Sequence, residues 1–191
     1  MIPAHTPSGV LPPFLPGLLP SDPSAMAPYP VSMLDVAKRF AINEERIKIL
    51  KGVMDYRKEL RTSGIHNGFQ WIDGSFVENI EVTLGRPPYD IDIITFAYRP
   101  DNFRDGDDWR KFIYSRLDLF DPAESKKKYY CDAYFVDMTS RSEFLVNQTA
   151  YWFGLFSHQR DTFLWKGMLQ VPLDDDTEVI DFLNSGGSHA T

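Results

Sequence analysis

Between residues 44 and 62, apolar side chains recur at helical spacing: Ile47, Leu50, Val53, Met54, Tyr56 and Leu60 form one stripe. The pattern predicts a helix from Glu44 to about Thr62, capped by Asn43 and stopped by Gly64. A shorter helix precedes it, with Ser32 as cap and Phe40 as its end. The period then changes. Gly68 to Ile72 and Tyr89 to Phe96 read as strands, joined by a connection holding Gly85 and Pro87-Pro88. Asp107 to Leu117 returns to helical spacing, with Trp109, Phe112, Ile113 and Leu117 on one side. Tyr129 to Met138 predicts a third strand and Gln148 to Phe156 a short, very apolar helix. Met168 to Leu173 gives a fourth strand, and Thr177 to Leu183 a last helical turn or two. This mixture predicts an α+β (or α/β) fold: a small mixed sheet of at least three strands flanked by helices.

Residues 1–30 break the pattern, for they hold nine of the fourteen prolines, among them Pro12-Pro13, Pro16 and Pro20. Proline fixes φ and removes a backbone donor, which excludes helix and central strand here. Yet Val10, Leu11, Phe14, Leu15, Leu18 and Leu19 are too apolar for a free linker. We expect an extended Pro-rich arm over 1–30, lying on the body or on a partner subunit. A main domain follows over 31–184, then a flexible tail over 185–191, opened by Ser185-Gly186-Gly187.

Composition narrows the class. The 191 residues are 43% hydrophobic and 25% charged, ordinary for a globular chain. A net charge of −7 excludes a surface that attracts nucleic acid as a whole; Lys126-Lys127-Lys128 is the dense basic run. A single cysteine, Cys131, excludes an intramolecular disulfide and a multi-cysteine zinc site. No apolar run spans a bilayer, and the first residues lack a basic leader, so the expected compartment is cytoplasmic.

The chemistry concentrates in Trp71-Ile72-Asp73-Gly74-Ser75-Phe76 and Tyr89-Asp90-Ile91-Asp92-Ile93-Ile94. Strand alternation projects Asp90 and Asp92 from the same face. Two carboxylates side by side on an apolar strand repel each other and resist burial, and a bound cation removes both penalties. Magnesium suits them, since it takes one or two carboxylates plus substrate phosphates; manganese is the variant. Gly74-Ser75 falls at a strand end before a helix expected near Phe76. Glycine permits close backbone approach, and a serine hydroxyl with exposed amides binds phosphate oxygens.

A Gly-Ser turn followed by Asp-x-Asp in a hydrophobic strand resembles the DNA polymerase β-like nucleotidyltransferase superfamily. More narrowly, the chain is similar to an uncharacterised family of small bacterial nucleotidyltransferase-like proteins. That similarity rests on Gly9-Val10-Leu11-Pro12-Pro13-Phe14, Trp71 to Glu78, and Trp152 to Gly167. The resemblance implies a third carboxylate on a neighbouring strand. Asp132 fits, while Asp137 falls at the strand's far end and, by alternation, on the opposite face. It also implies transfer of a nucleoside monophosphate from a nucleoside triphosphate, ATP by expectation, to a protein or RNA acceptor. Small stand-alone members of the superfamily often act in toxin–antitoxin or defence systems. The other class compatible with these residues is a nucleotide-binding or regulatory module that keeps the fold without turnover. The chain is short for a further large substrate domain, so a homo-oligomer or a partner protein, engaged through the arm, is expected to complete the acceptor site.

Arg160 and Lys166 are candidate triphosphate ligands, with solvated surface cations as the plain reading. Cys131 has no neighbouring histidine to activate it and reads as a buried strand residue. His158 reads as structural, and His5, His66 and His189 form no ligand pattern. Asp174-Asp175-Asp176 reads as a solvated cap before the last helix. Glu78 and Glu81 are placed near the pocket mouth without an assigned role.

Overall fold

In the computed structural model, which describes residues 1–19, 21–103, 105–173 and 176–186, side-chain caps start the first two helices. Ser32 and Asp35 form a reciprocal capping box at the head of α1 (Met33–Phe40). Asn43 accepts from the Arg46 amide to open α2 (Glu44–Thr62). Among the described residues, five strands form one sheet: β1 (Tyr29–Pro30), β2 (Gly68–Asp73), β3 (Ile91–Ala97), β4 (Cys131–Asp137) and β5 (Leu169–Pro172), in spatial order β1-β5-β2-β3-β4. Pairs β2/β3 and β2/β5 are antiparallel, whereas β3/β4 and β1/β5 are parallel. The short α3 (Ile80–Leu84) lies between β2 and β3. A parallel pair needs a long crossover, and the β3-to-β4 connection is supplied by α4 (Gly106–Ser115), α5 (Leu117–Phe120) and α6 (Pro122–Tyr129). Then α7 (Ser142–Phe156) joins β4 to β5, and α8 (Thr177–Asn184) follows. The mixed α+β class expected from the pattern is what forms, with one strand more than the four the pattern marks.

Alternation sorts the sheet's two faces. Ile72, Ile91, Ile93, Cys131 and Ala133 join a core with Val36, Phe40, Leu50, Val53 and Tyr56 of α1 and α2. On the other side Trp71, Ile94, Phe96 and Val136 pack with Trp152 and Phe156 of α7. The acidic positions Asp73, Asp92 and Asp132 share the parity of that second face.

Several boundaries differ from the sequence reading, each for a local reason. The strand expected from Tyr129 begins at Cys131, because Tyr129 ends α6, whose last turn carries the lysine run and is closed by Tyr130 in the left-handed region (φ 59°). β3 begins at Ile91, leaving Asp90 just ahead of it. The apolar helix starts at Ser142 rather than Gln148. Leu117 is exposed and belongs to α5, apart from the Trp109 side of α4. Among the arm residues, Val10 and Leu11 are buried while Leu18 and Leu19 are exposed. The arm also holds a 3-10 turn, Pro23–Ala25, with proline at its start where a missing N–H costs nothing. Its end forms edge strand β1, a position that tolerates Pro30. Residues 187–191 of the expected tail lie outside the described residues.

Two arginines of α2 are fully buried, against the apolar stripe read from its sequence. Arg57 grips both carboxylate oxygens of Asp176 (2.8 and 2.9 Å), the Gln70 side chain (2.7 Å) and the Pro172 carbonyl (2.8 Å). Asp176 is therefore a buried counter-ion and no solvated cap; Asp174 and Asp175 lie outside the described residues. No described helix is long and apolar enough to cross a membrane.

Candidate metal and nucleotide site

Register brings the acids together. β2 pairs Asp73 with Asp92, and β3 pairs Asp92 with Asp132, so three strands carry carboxylates abreast. Asp90, Asp92 and Asp132 each offer an oxygen, and these oxygens lie within 4.8 Å of one another. Asp137 sits at the far end of β4, beside Ala97, and its carboxylate accepts from Arg99. Geometry thus selects Asp132 as the third acid.

The electrostatics follow from this crowding. Burial, then the charges of Asp73, Asp90 and Asp132, push the Asp92 carboxyl up to about 7. Asp92 has no cation within ion-pair distance among the described residues. Lys126 of α6 pairs with Asp90, and this contact holds the lysine's pKa above its usual value. A half-buried set of carboxylates under strain from like charge, in which only Asp90 has an ion-pair partner among the described residues, is an environment that a divalent cation relieves.

The Gly-Ser turn packs directly on this set. Gly74 has φ +82°, and a Cβ built there would fall 2.4 Å from Asp92 Oδ2. After it comes a single 3-10 turn, Ser75–Val77, in place of the expected helix near Phe76; α3 begins only at Ile80. Three residues present fewer aligned amides than a full helix would. Ser75 is half-buried, and its hydroxyl makes no hydrogen bond among the described residues. Arg46, buried in the first turns of α2, donates to the carbonyls of Phe76 (2.5 Å) and Glu78 (2.8 Å) and to Glu81 (2.6 and 2.8 Å). This clamp fixes the segment that follows the turn.

Gly74→Ala is expected to strain the backbone and drive a methyl into Asp92. Loss of more than about 1 kcal/mol in denaturant unfolding is anticipated, together with a weakened thermal shift by magnesium. An unchanged response to the ion would separate the turn from the acids.

The two candidate cations part company. Arg160 is exposed on the turn after α7. Lys166 is buried, with Nζ 3.0 Å from Asp73 Oδ2 and 2.9 Å from Glu78 Oε1. Gln159 Nε2 donates to the other Glu78 oxygen at 2.8 Å. Burial alone pulls the lysine's pKa down, but Asp73 and Glu78 outweigh it and leave it raised. Burial pushes the Asp73 carboxyl up to about 6 against the lysine's pull, and its Oδ1 is buried without a hydrogen-bond partner among the described residues. Asp73 escapes a motif reading because only the β2/β3 register puts it beside Asp92. Gln159 and Arg46 give no signal in sequence beyond their polarity, and for Glu78 the sequence gives a place near the pocket mouth but not its pairing with Lys166.

The arm laces these segments together. Gly9 O accepts from the Asn79 amide, Leu11 O accepts from the Gly167 amide (2.8 Å each), and His5 Nε2 meets Val77 O at 2.9 Å. The stretches around Gly9, Trp71 to Glu78, and Trp152 to Gly167 therefore converge on one end of the sheet. Across known proteins, a family of unknown function (DUF6932) matches residues 3–172. No curated protein and no solved structure matches the chain.

Proposed function

We propose that this chain, which belongs to the DUF6932 family, is a metal-dependent nucleotidyltransferase acting from a nucleoside triphosphate, ATP by preference, on a protein or RNA acceptor. The observation that carries the reading is Asp90, Asp92 and Asp132 converging beside the Gly74-Ser75 turn. The donor set fits a hard cation: three carboxylates, crowded enough to raise Asp92, with no competing thiol or imidazole among the three. A bound magnesium or manganese ion would supply charge neutralisation for the triphosphate. Asp90, Asp92 and Asp132 would hold it. Ser75 and the adjoining amides would bind phosphate oxygens and fix the α-phosphorus for in-line attack. Asp132 takes the proton of the acceptor hydroxyl. The acceptor oxygen then bonds to the α-phosphorus, the α–β bridging bond breaks, and pyrophosphate leaves. The supply of nucleoside triphosphate assigns this chemistry to the cytoplasm.

A second reading draws on a separate observation. Lys166 is committed to Asp73 and Glu78, and Lys126 to Asp90, so neither is free to face a triphosphate as the structure stands. With neither lysine left to neutralise the transferring phosphates, that arrangement favours a regulatory or binding module without turnover. Incubation of the full chain with each α-labelled triphosphate and magnesium in lysate decides between them. Label transferred to a macromolecule, and lost in Asp92→Ala, supports the enzyme. A magnesium-dependent thermal shift with ATP but no label across all acceptors supports the module. No shift and no label removes both.

A further inference from the structure

Lys126 is held over the acids by the backbone beneath it. Ser125, the residue before it, is buried in α6, and its Oγ meets the Cys131 carbonyl at 2.9 Å and accepts from the Ala133 amide at 3.3 Å, on either side of Asp132. The carbonyl of Tyr130, which closes α6, accepts from the Ile91 amide at 3.1 Å, next to Asp90. The last turn of α6 is thereby fastened to both strands at the acids. Its lysines then divide. Lys128 pairs with Asp118, Lys127 forms no ion pair among the described residues, and Lys126 pairs with Asp90. The charges of Asp132 and Asp92 act on Lys126 as well, after that of Asp90. Among the described residues no other lysine or arginine makes an ion pair with any of the three acids.

A cation thus already stands beside the cluster, and it is one that can leave. The Lys126 side chain is 52% exposed, against 20% for Asp90, and its ammonium rides on a long, flexible stem. A pair so open to water is weak. Direct coordination of a divalent ion by Asp90 is stronger, so entry of the ion displaces the lysine from the carboxylate. The ammonium then stays tethered at the mouth of the site, where a metal-bound triphosphate still carries surplus negative charge. Lysine answers such charge as a point cation.

We propose that Lys126 is an exchanging cation: it holds Asp90 while the metal is absent, and passes to the oxygens of the triphosphate when metal and nucleotide enter. The inference rests on the nucleotidyl-transfer reading of the acids. It adds the phosphate-binding cation that Lys166, committed to Asp73 and Glu78, does not supply. Lys126 competes with the ion in one state and assists the nucleotide in the other. Removing its charge therefore acts with opposite signs on two affinities, which a purely structural surface pair would not do.

Titration of the full chain with Mn2+ alone, read by paramagnetic resonance of the free ion, gives the first affinity. Titration with α,β-methylene ATP at saturating Mn2+, read by calorimetry, gives the second without turnover. Lys126→Met is expected to bind Mn2+ about threefold more tightly, the scale of a weak exposed pair. It is expected to bind the analogue more than about tenfold more weakly, the scale of a lost charge-assisted hydrogen bond. Lys126→Arg keeps the charge, so it should bind Mn2+ no more tightly than the wild type and retain most of the analogue affinity. Lys127→Met removes the same charge one residue away and should leave both affinities near the wild type. Mn2+ affinity unchanged or weakened in Lys126→Met, analogue affinity unchanged there, or equal effects from Lys127→Met would each overturn the proposal while leaving the metal site in place. A wild type that binds no Mn2+, or whose binding survives Asp92→Ala undiminished, overturns the nucleotidyl-transfer reading and this inference with it.

Discussion

Asp92→Asn is expected to lower magnesium-dependent nucleotidyl transfer by more than about a hundredfold, because even outer-shell partners of metal ligands cost 10–100-fold. The same substitution is expected to stabilise the metal-free protein at pH 8, which an ordinary loss of function through misfolding would not do. The sign follows from Asp92 standing at about 7 in the folded chain, above its usual 3.8, with Asp73 at about 6. Between pH 4 and 7 the folded state holds protons that the unfolded state has released. Stability from these groups is therefore fully present below about pH 4 and is lost as pH rises through 6 to 7. The metal-free wild type should lose on the order of 4 kcal/mol between pH 5 and 8 from these two carboxyls, about two-thirds of it through Asp92. Asp92→Asn should flatten most of that slope, and magnesium should stabilise the wild type more at pH 8 than at pH 5. Denaturant unfolding in chelator at both pH values, with and without the ion, measures all three. A wild type equally stable at both would mean the acids do not crowd one another.

Two kinds of information behave differently in this chain. Periodicity locates the elements because burying one face sets a period, and α2 and β3 each bury enough apolar surface to show it. Strand alternation likewise separates Asp132 from Asp137, since a shift of five residues reverses the face. Local pattern is blind to partners that are far apart in sequence. Arg46 and Arg57 read as the polar side of α2, yet their guanidiniums are buried against Glu81 and Asp176. β1 is two residues long, too short for any period, and exists because Tyr29 and Val31 donate to Met168 and Gln170. The extent of α7 is hidden because its first turns mix apolar and polar residues without a clear period and no side-chain cap marks its start. Asp73 joins the site only through register, and Lys166 through tertiary contact.

Lys166 gives the second large effect, because two readings of it predict opposite behaviour. As a phosphate ligand, Lys166→Met would keep its stability and lose triphosphate affinity. As the buried counter-ion seen here, it leaves Asp73 and Glu78 in the interior without a positive partner. Breaking a buried ion pair from one side costs about 3–5 kcal/mol, far more than the intact pair contributes. Lys166→Met is therefore expected to lose about that much in denaturant unfolding at pH 8. Acid should return part of the loss, since a protonated Asp73 no longer needs the lysine. The double variant Lys166→Met/Asp73→Asn should recover at least about 1 kcal/mol relative to the single one, the lower range for removing an unsatisfied buried group. Full stability in the single variant, with weakened nucleotide binding, would free the lysine from this role and return it to the triphosphate.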